Sequence, residues 1–285
     1  MIAGLVAAFV LFLREGLEAS LIVSILFAAL RQLGQLQQMR AVWIGIGLAA
    51  LASLGGGAIL YATIREYDGS TFQTIFETIT YLVAVVLLTS MTFWLQRHSR
   101  SLKKELTSQA AKAGSAFGLG LLAFFTVGRE GLETAVFSLA LAFQTSGLWL
   151  LLGALLGLLA AVVLCWLIYR LGYRLDFRVF FRVMGILLLV FAAGLFANAI
   201  QNMQELGWIT FGTAQLWNSA KFLSEDSTIG DILHTFVGYA DAPTALQVAL
   251  YAGYLLLAGS AFAWMTRKPA IPAKATVRVD NASKA

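Results

Sequence analysis

The 285-residue chain contains one cysteine, two histidines and three prolines. A single cysteine excludes a disulfide framework or a thiolate cluster within one chain, and two histidines exclude a histidine-rich metal site. Charged residues make up only 12% of the sequence, about half of the roughly 25% that is usual in soluble domains. The composition therefore excludes both a soluble globular enzyme and a disordered chain.

Apolar residues are abundant instead, at 59% of the chain with a mean hydropathy of +0.80. They run in continuous blocks long enough for a helix to cross a bilayer, whereas a transmembrane barrel would alternate apolar and polar residues. We predict an all-α polytopic membrane protein with seven transmembrane helices. The predicted spans are residues 2–30, 41–63, 72–95, 116–142, 148–170, 180–203 and 246–266.

The basic residues fix the predicted orientation, because positive charge accumulates on the cytoplasmic side of a membrane protein. Of the 20 Lys and Arg residues, 16 lie in alternate connections between spans and in the C-terminal segment. We therefore predict a multi-pass protein of the cytoplasmic (inner) membrane, with its N-terminus outside and a disordered cytoplasmic tail at residues 267–285. This bias explains the formal charge of +5 without a nucleic-acid partner; the partner implied is the lipid bilayer.

Apart from Arg170 and Arg182 at the cytoplasmic ends of their spans, seven charged residues lie at membrane depth inside the predicted spans, where each costs about 2.5–3.5 kcal/mol on insertion scales. They are Arg14, Glu15, Glu18, Glu77, Arg129, Glu130 and Glu133. Charge pairing by two arginines cannot neutralise five glutamates, so the other glutamates are either protonated or compensated by a bound cation. Carboxylates are hard oxygen ligands that suit Mg, Ca, Mn and highly charged iron.

Six of the seven belong to a repeated pentapeptide, Arg-Glu-Gly-Leu-Glu, at residues 14–18 and 129–133. Its two glutamates share a helix face, and the glycine between them lets another helix come close. Because spans 1 and 4 run in opposite directions, we predict a 3+3 inverted repeat, about 1–95 and about 116–203, plus one extra helix at 246–266. Such repeats hold substrate at the midplane between the halves, so spans 1 and 4 should touch there.

A weaker repeat supports this interpretation, since residues 72–96 and 177–201 align without gaps, each starting with Phe and ending with Gln. Glu77 lies near the outer end of span 3. We predict that it is a metal ligand on the outer side, although a glutamate at that depth can also simply reach the membrane interface.

The two pentapeptides resemble the motif of the oxidase-dependent high-affinity iron permease family, which includes the fungal iron permease and the bacterial Efe-type permease subunit. The resemblance covers nearly all of residues 1–266. It extends to Phe76-Glu77, Met91-Thr92-Phe93-Trp94, Gln204-Glu205-Leu206-Gly207-Trp208, Gly238-Tyr239 and Pro243-Thr244.

This resemblance implies a single transmembrane permease domain, residues 1–266, that imports iron, as ferric iron after oxidation by a partner. It implies that the metal ligands are Glu15, Glu18, Glu130 and Glu133. Periplasmic or extracellular iron oxidases and iron-delivery proteins are the implied partners; iron is cargo, with no resident cofactor expected. The chain departs from the family at Gln201-Asn202, where a His-Glu pair is frequent.

Two other functions stay open at this point. Some relatives are associated with lead uptake, so the substrate is alternatively another metal cation, such as lead or manganese, or a different proton-coupled solute. A membrane di-iron carboxylate oxidase is less favoured, because such sites usually add Glu-x-x-His motifs and we predict His98 and His234 in loops. The chain has no nucleotide-binding loop, and its sequence leaves homo-oligomerisation open.

Overall fold

A computed structural model describes residues 2–65, 69–98, 102–171, 177–225 and 227–266. Within these residues the secondary structure is helical, and the one β feature is an isolated bridge between Gln215 and Thr244. The predicted all-α class is confirmed. The predicted tail, residues 267–285, lies outside the described residues.

The described residues form nine α-helices. These are α1 (Ile2–Gln32), α2 (Met39–Arg65), α3 (Thr71–His98), α4 (Leu102–Ala113), α5 (Ala116–Ala142), α6 (Gly147–Leu171), α7 (Phe177–Glu205), α8 (Thr228–Val237) and α9 (Ala245–Thr266). Seven of them coincide with the predicted spans. The shortest of these, α9, has 22 residues, enough at about 1.5 Å per residue to cross a hydrocarbon core of about 30 Å.

Among the described helices, five are both long and apolar enough to cross a membrane, namely α2, α3, α6, α7 and α9. The other two, α1 and α5, have 31 and 27 residues, and each carries one pentapeptide with its three ionisable groups. The chain is thus a polytopic all-α membrane protein. Because successive spans reverse direction, we use "N face" for the side where α1 begins and "C face" for the side where α9 ends.

Two helices, α4 and α8, lie in connections where no helix was predicted. The segment 204–245, predicted as a long loop, contains α8, which Ser227 caps by accepting a hydrogen bond from Gly230 N and which Gly238 ends at φ 69°. The prediction that both histidines lie in loops is also wrong, since His234 is in α8 and His98 is the last residue of α3. Ser227 and Gly238 are ordinary helix-boundary residues, but an apolar run long enough to span a membrane does not accompany them.

Helix α8 descends from the N face into the bundle, where it packs against α1 and α7. Gly238, directly after α8, is in backbone contact with Gly194. Gly194 lies eleven residues before the end of α7 at Glu205, which is about 16 Å along the helix axis. Gly194 is thus close to the middle of the 29-residue α7, so the C-terminal end of α8 lies about half-way along the bundle, and we call α8 re-entrant.

The two halves of the chain exchange their second helices. Helix α1 packs along α6, and α5 packs along α2. A Cβ on Gly45 of α2 would meet the carbonyl oxygen of Gly120, and a Cβ on Gly153 of α6 would meet that of Leu5. Leu5 and Gly120 are separated by the same 115 residues as the two pentapeptides. One contact therefore occurs twice with the halves interchanged, as the inverted repeat predicts.

The buried apolar residues form two large clusters at different depths. The N-side cluster consists of Ala7, Ala8, Leu11, Tyr81, Ala84, Val85, Leu88, Phe137, Ala140, Leu141, Leu188, Phe191, Ala192, Leu195 and Ala199. The C-side cluster consists of Ile22, Leu26, Ala29, Leu30, Val42, Leu106, Ala110, Leu119 and Ala123, with α4 contributing Leu106 and Ala110. Along both α1 and α5 the pentapeptide lies between one cluster and the other, so it occupies a central layer closed from both faces.

Candidate metal site between the apolar clusters

The first pentapeptide is completely buried. Arg14, Glu15 and Glu18 are 1%, 4% and 5% exposed. Arg14 Nη1 donates to Glu15 Oε1 at 2.6 Å, and Arg14 Nε lies 2.8 Å from Glu18 Oε1. One guanidinium therefore bridges both carboxylates. Among the described residues, Arg14 Nη2 and Glu15 Oε2 have no further hydrogen-bond partner, so this copy retains unused donor and acceptor capacity.

The second pentapeptide has the same sequence and a different arrangement. Arg129 Nε donates to Glu133 Oε1 at 2.9 Å, while its guanidinium also lies over the Trp94 ring, 4.8 Å from the centroid. The Arg129 side chain is 47% exposed, although Glu130 and Glu133 are buried. Within the described residues Arg129 forms an ion pair with Glu133 and none with Glu130, whose Oε2 has no hydrogen-bond partner.

The two copies share one layer. Helices α1 and α5 are in contact, as predicted for spans 1 and 4, and Glu130 lies within electrostatic range of both Glu15 and Glu18. Glu18 also interacts with Glu133. Across the described part of the chain, no three carboxylate, imidazole or thiol groups stand close enough together to hold one metal ion. The four carboxylates are thus neighbours without being gathered around one point.

The glycines of the pentapeptides contact different helices. A Cβ on Gly16 would meet Ala161 of α6 at 2.8 Å, and one on Gly131 would meet the Ser53 side chain of α2. The predicted close approach at each glycine is confirmed, but the two glycines do not face each other across the α1–α5 contact. They instead hold the exchanged α1–α6 and α5–α2 pairs, and so set the depth of the glutamates.

The structure does not bring Glu77 to the other four glutamates. It lies half-buried six residues after the start of α3, near the N face, where it accepts a hydrogen bond from Tyr81 Oη at 2.6 Å. Asn202 of α7 lies beside its carboxylate. Sequence reasoning missed Tyr81 and Asn202 as neighbours of Glu77, although Tyr81 is four residues away and therefore on the same helix face.

A cavity of about 480 Å³ opens beside the second copy, between α2, α3 and α5. Its walls are largely apolar, and it is lined by Ala49, Ala52, Ser53, Leu87, Phe124, Phe125, Gly128, Arg129, Leu132, Glu133 and Val136. Across the repeat, Gly128 corresponds to Leu13 by the 115-residue spacing. Beside the first copy, Leu13 packs with Leu17 and Ala161 in an apolar cluster. The space that corresponds to the cavity is therefore filled next to the first copy.

A second cavity, of about 400 Å³, lies at the N face. Three acidic residues line it, Glu205, Glu225 and Asp241, together with the amides of Gln201, Gln204 and Gln247. Gln201 thus faces this basin, whereas its neighbour Asn202 faces Glu77. The two positions at which the chain departs from the family pattern therefore have different surroundings.

Comparison with known proteins identifies the relatives. Residues 5–273 match the model of the iron permease FTR1 family. The ferrous iron permeases EfeU of Escherichia coli O157:H7 and Shigella sonnei (strain Ss046) are each 38% identical over 260 residues, covering 90% of this chain and 94% of the relative. The ferrous iron permease EfeU of Yersinia pestis is 36% identical over 278 residues, covering 96% and 98%. No solved structure matches the chain.

Proposed function

We infer that this chain, which belongs to the iron permease FTR1 family, takes up iron across the cytoplasmic membrane through its layer of four glutamates. Family membership supports a transporter of iron. The observation that carries the glutamate site is that the four glutamates of the two pentapeptides are buried in a single layer between the two apolar clusters. Buried carboxylates at membrane depth persist where they pair with cations or act on a substrate.

The proposed ligands are Glu15, Glu18, Glu130 and Glu133. Arg14 and Arg129 are the counter-charges that hold the carboxylates when no cation is bound. A cation entering the layer takes the place of a guanidinium as the carboxylates' partner, so binding and charge compensation are the same event. Four carboxylates against two guanidiniums leave the layer negative, which favours a highly charged ion with hard-ligand preference.

We propose that the ion crosses as ferric iron, after a partner on the outer side oxidises the ferrous form. The relatives named above are described as ferrous iron permeases, and that name fits ferrous iron as the supplied form. The partner is an iron oxidase or iron-delivery protein of the periplasm or cell exterior. In this scheme the chain itself moves the ion and performs no redox step.

The N face is proposed to be the outer face. Among the described residues, the helix ends and connections at the C face carry the basic Arg31, Arg40, Arg97 and Lys112 and the acidic Glu105. Those at the N face carry the acidic Glu205, Glu225 and Asp241 and the basic Lys221. Positive charge marks the cytoplasmic side, and an acidic outer surface raises the local concentration of cations. A reporter that is active only in the periplasm, fused after residue 266, should be silent; activity would reverse the orientation.

The test of function is uptake of radioactive iron into proteoliposomes that contain the purified chain. Fe²⁺ under anaerobic conditions and Fe³⁺ as its citrate complex are supplied separately, with Pb²⁺ and Mn²⁺ as competitors. We expect saturable iron uptake that Glu130→Ala abolishes and Glu105→Ala preserves, because Glu105 is an exposed glutamate of α4 outside the layer. Transport of a competitor in preference to both forms of iron would assign another metal, and uptake of Fe²⁺ alone would remove the oxidation step.

A further inference from the structure

A seam of polar side chains between α3 and α7 begins at the N face and runs inward. Glu77 and Tyr81 contribute from α3, one helical turn apart, and Asn198 and Asn202 contribute from α7 with the same four-residue spacing. Side chains four apart lie on one helix face. Since Asn202 lies beside Glu77, Asn198 lies one turn deeper on the same side of α7.

Asn198 is the deepest member of this seam. It is 7% exposed, and its Oδ1 has no hydrogen-bond partner among the described residues. It is also one turn from Gly194, where α8 reaches α7, so its amide lies where the re-entrant helix ends. Burying an amide without a hydrogen bond is costly, and orphaned buried oxygens in native proteins call for a partner.

The Glu77 carboxylate accepts one well-aligned hydrogen bond from the described residues, at its Oε1 atom. Tyr81, itself 2% exposed, donates to Oε1 at 2.6 Å. The Asn202 amide is adjacent to the carboxylate, yet its Nδ2 completes no well-aligned hydrogen bond with any described residue. A side-chain amide can turn its oxygen or its nitrogen toward a neighbour, so Asn202 can direct an oxygen to an ion held by Glu77.

We propose that Glu77, Asn198 and Asn202 form a second cation site, separate from the central glutamates, with Tyr81 positioning the Glu77 carboxylate. The site takes a hard cation through one carboxylate and two amide oxygens, the ligand types that such ions prefer. It receives the ion from the acidic basin at the N face, since Glu205 is within electrostatic range of Glu77. Naming iron as the ion rests on the proposed function.

The N-side cluster separates this site from the central layer. Along α3 the cluster continues inward from Tyr81 through Ala84, Val85 and Leu88, and along α5 Phe137 lies one turn beyond Glu133 on the N-face side. Phe137 is fully buried. An ion at Glu77 is therefore held outside an apolar barrier, and the two sites can be occupied and measured independently.

The test uses equilibrium binding to the full-length protein in detergent, with Glu15, Glu18, Glu130 and Glu133 all replaced by Gln and with Arg14 and Arg129 replaced by Met, so that no buried charge in the layer is left unpaired. The probes are Fe²⁺ under anaerobic conditions and Fe³⁺ as its citrate complex. We expect this variant to retain one bound ion, and Asn198→Leu, Asn202→Leu or Tyr81→Phe added to it to weaken binding about tenfold or more, the usual effect of removing a supporting ligand. Thr89→Val is the matched control, because its hydroxyl on α3 bonds to Tyr254 instead of the seam.

A structural role and a binding role give different results. Asn202→Asp keeps the size of the side chain and adds a charge beside Glu77, so it should tighten cation binding if the site is real and lower thermal stability without tightening if it is not. In the otherwise wild-type chain, Asn198→Leu should raise the iron concentration for half-maximal uptake while leaving the maximal rate nearly unchanged.

The proposal is overturned if the four-glutamine variant binds no ion, or if it binds one whose affinity none of the seam substitutions changes. Failure of the proposed function gives a separate result. In that case the wild-type chain transports no iron in proteoliposomes, while the four-glutamine variant still binds a cation that is lost with Glu77→Ala.

Discussion

The two pentapeptides are identical in sequence and differ in their surroundings. In the first copy Arg14 is 1% exposed and bridges Glu15 and Glu18, whereas in the second the Arg129 side chain is 47% exposed and contacts Glu133 and Trp94. The pentapeptide sequence therefore does not determine how exposed the arginine is or which groups it contacts. The residues that pack against the arginine determine both.

Two neighbours account for the difference. Leu13 precedes the first copy, and the corresponding residue before the second is Gly128, so a side chain fills the space beside α1 and a cavity remains beside α5. In addition, α8 packs against α1 and α7, whereas α4, the helix in the corresponding connection of the first half, packs against α1 and α5. An inverted repeat can thus supply one closed and one accessible copy of the same site.

The largest expected effect is loss of transport. Replacing any one of Glu15, Glu18, Glu130 and Glu133 by Ala should reduce iron uptake to the background of protein-free vesicles, because each carboxylate contributes to one small negative layer. The protein should still reach the membrane, since removing a charge from a span does not oppose insertion. Uptake and membrane content are measured together, and near-normal uptake in any two of these variants would rule out the carboxylate layer as the transport site.

The next largest effect is a difference in the stability lost when Arg14 or Arg129 is replaced. Arg14→Met leaves two buried carboxylates without their shared partner, and breaking a buried pair costs about 3–5 kcal/mol. Arg129→Met leaves one buried carboxylate, that of Glu133, without a guanidinium that is itself half-exposed, so we expect a smaller loss than for Arg14→Met. Thermal unfolding of the two purified variants in the same detergent provides the measurement. Equal losses would mean that the exposure of Arg129 has no energetic consequence.

A smaller effect tests the exchanged packing at the glycines. Gly131→Ala places a methyl group against Ser53, and Gly16→Ala places one against Ala161, so each should destabilise by about 1–3 kcal/mol through overpacking. Adding Ser53→Gly should restore the stability lost in Gly131→Ala, and adding Ala161→Gly should restore the stability lost in Gly16→Ala. The mismatched combinations serve as controls. Rescue of Gly131→Ala by Ala161→Gly would show that the helices are paired differently.

The sequence alone predicts the spans, the repeat and the layer of glutamates, because long apolar runs and charges at membrane depth are strong local signals. It does not predict that α8 re-enters the bundle, since a ten-residue helix is too short to register as a span. Nor does it predict that Gly16 and Gly131 contact α6 and α2. Which helices pair is decided by packing between distant segments, and no pattern within one pentapeptide contains that information.

The smallest expected effect concerns the cavity itself. In a background in which Cys165, the single native cysteine, is replaced by Ala, a cysteine introduced at position 128 should react with a small membrane-permeable thiol reagent faster than one at position 13. The reason is that Gly128 lines an open cavity of about 480 Å³, whereas Leu13 is 8% exposed within a filled cluster. Reaction rates followed by mass spectrometry give the ratio directly. If both cysteines react at the same rate, the two copies are equally accessible in the membrane. The different exposure of Arg14 and Arg129 would then be attributed to the contact of Arg129 with Trp94 and not to the cavity.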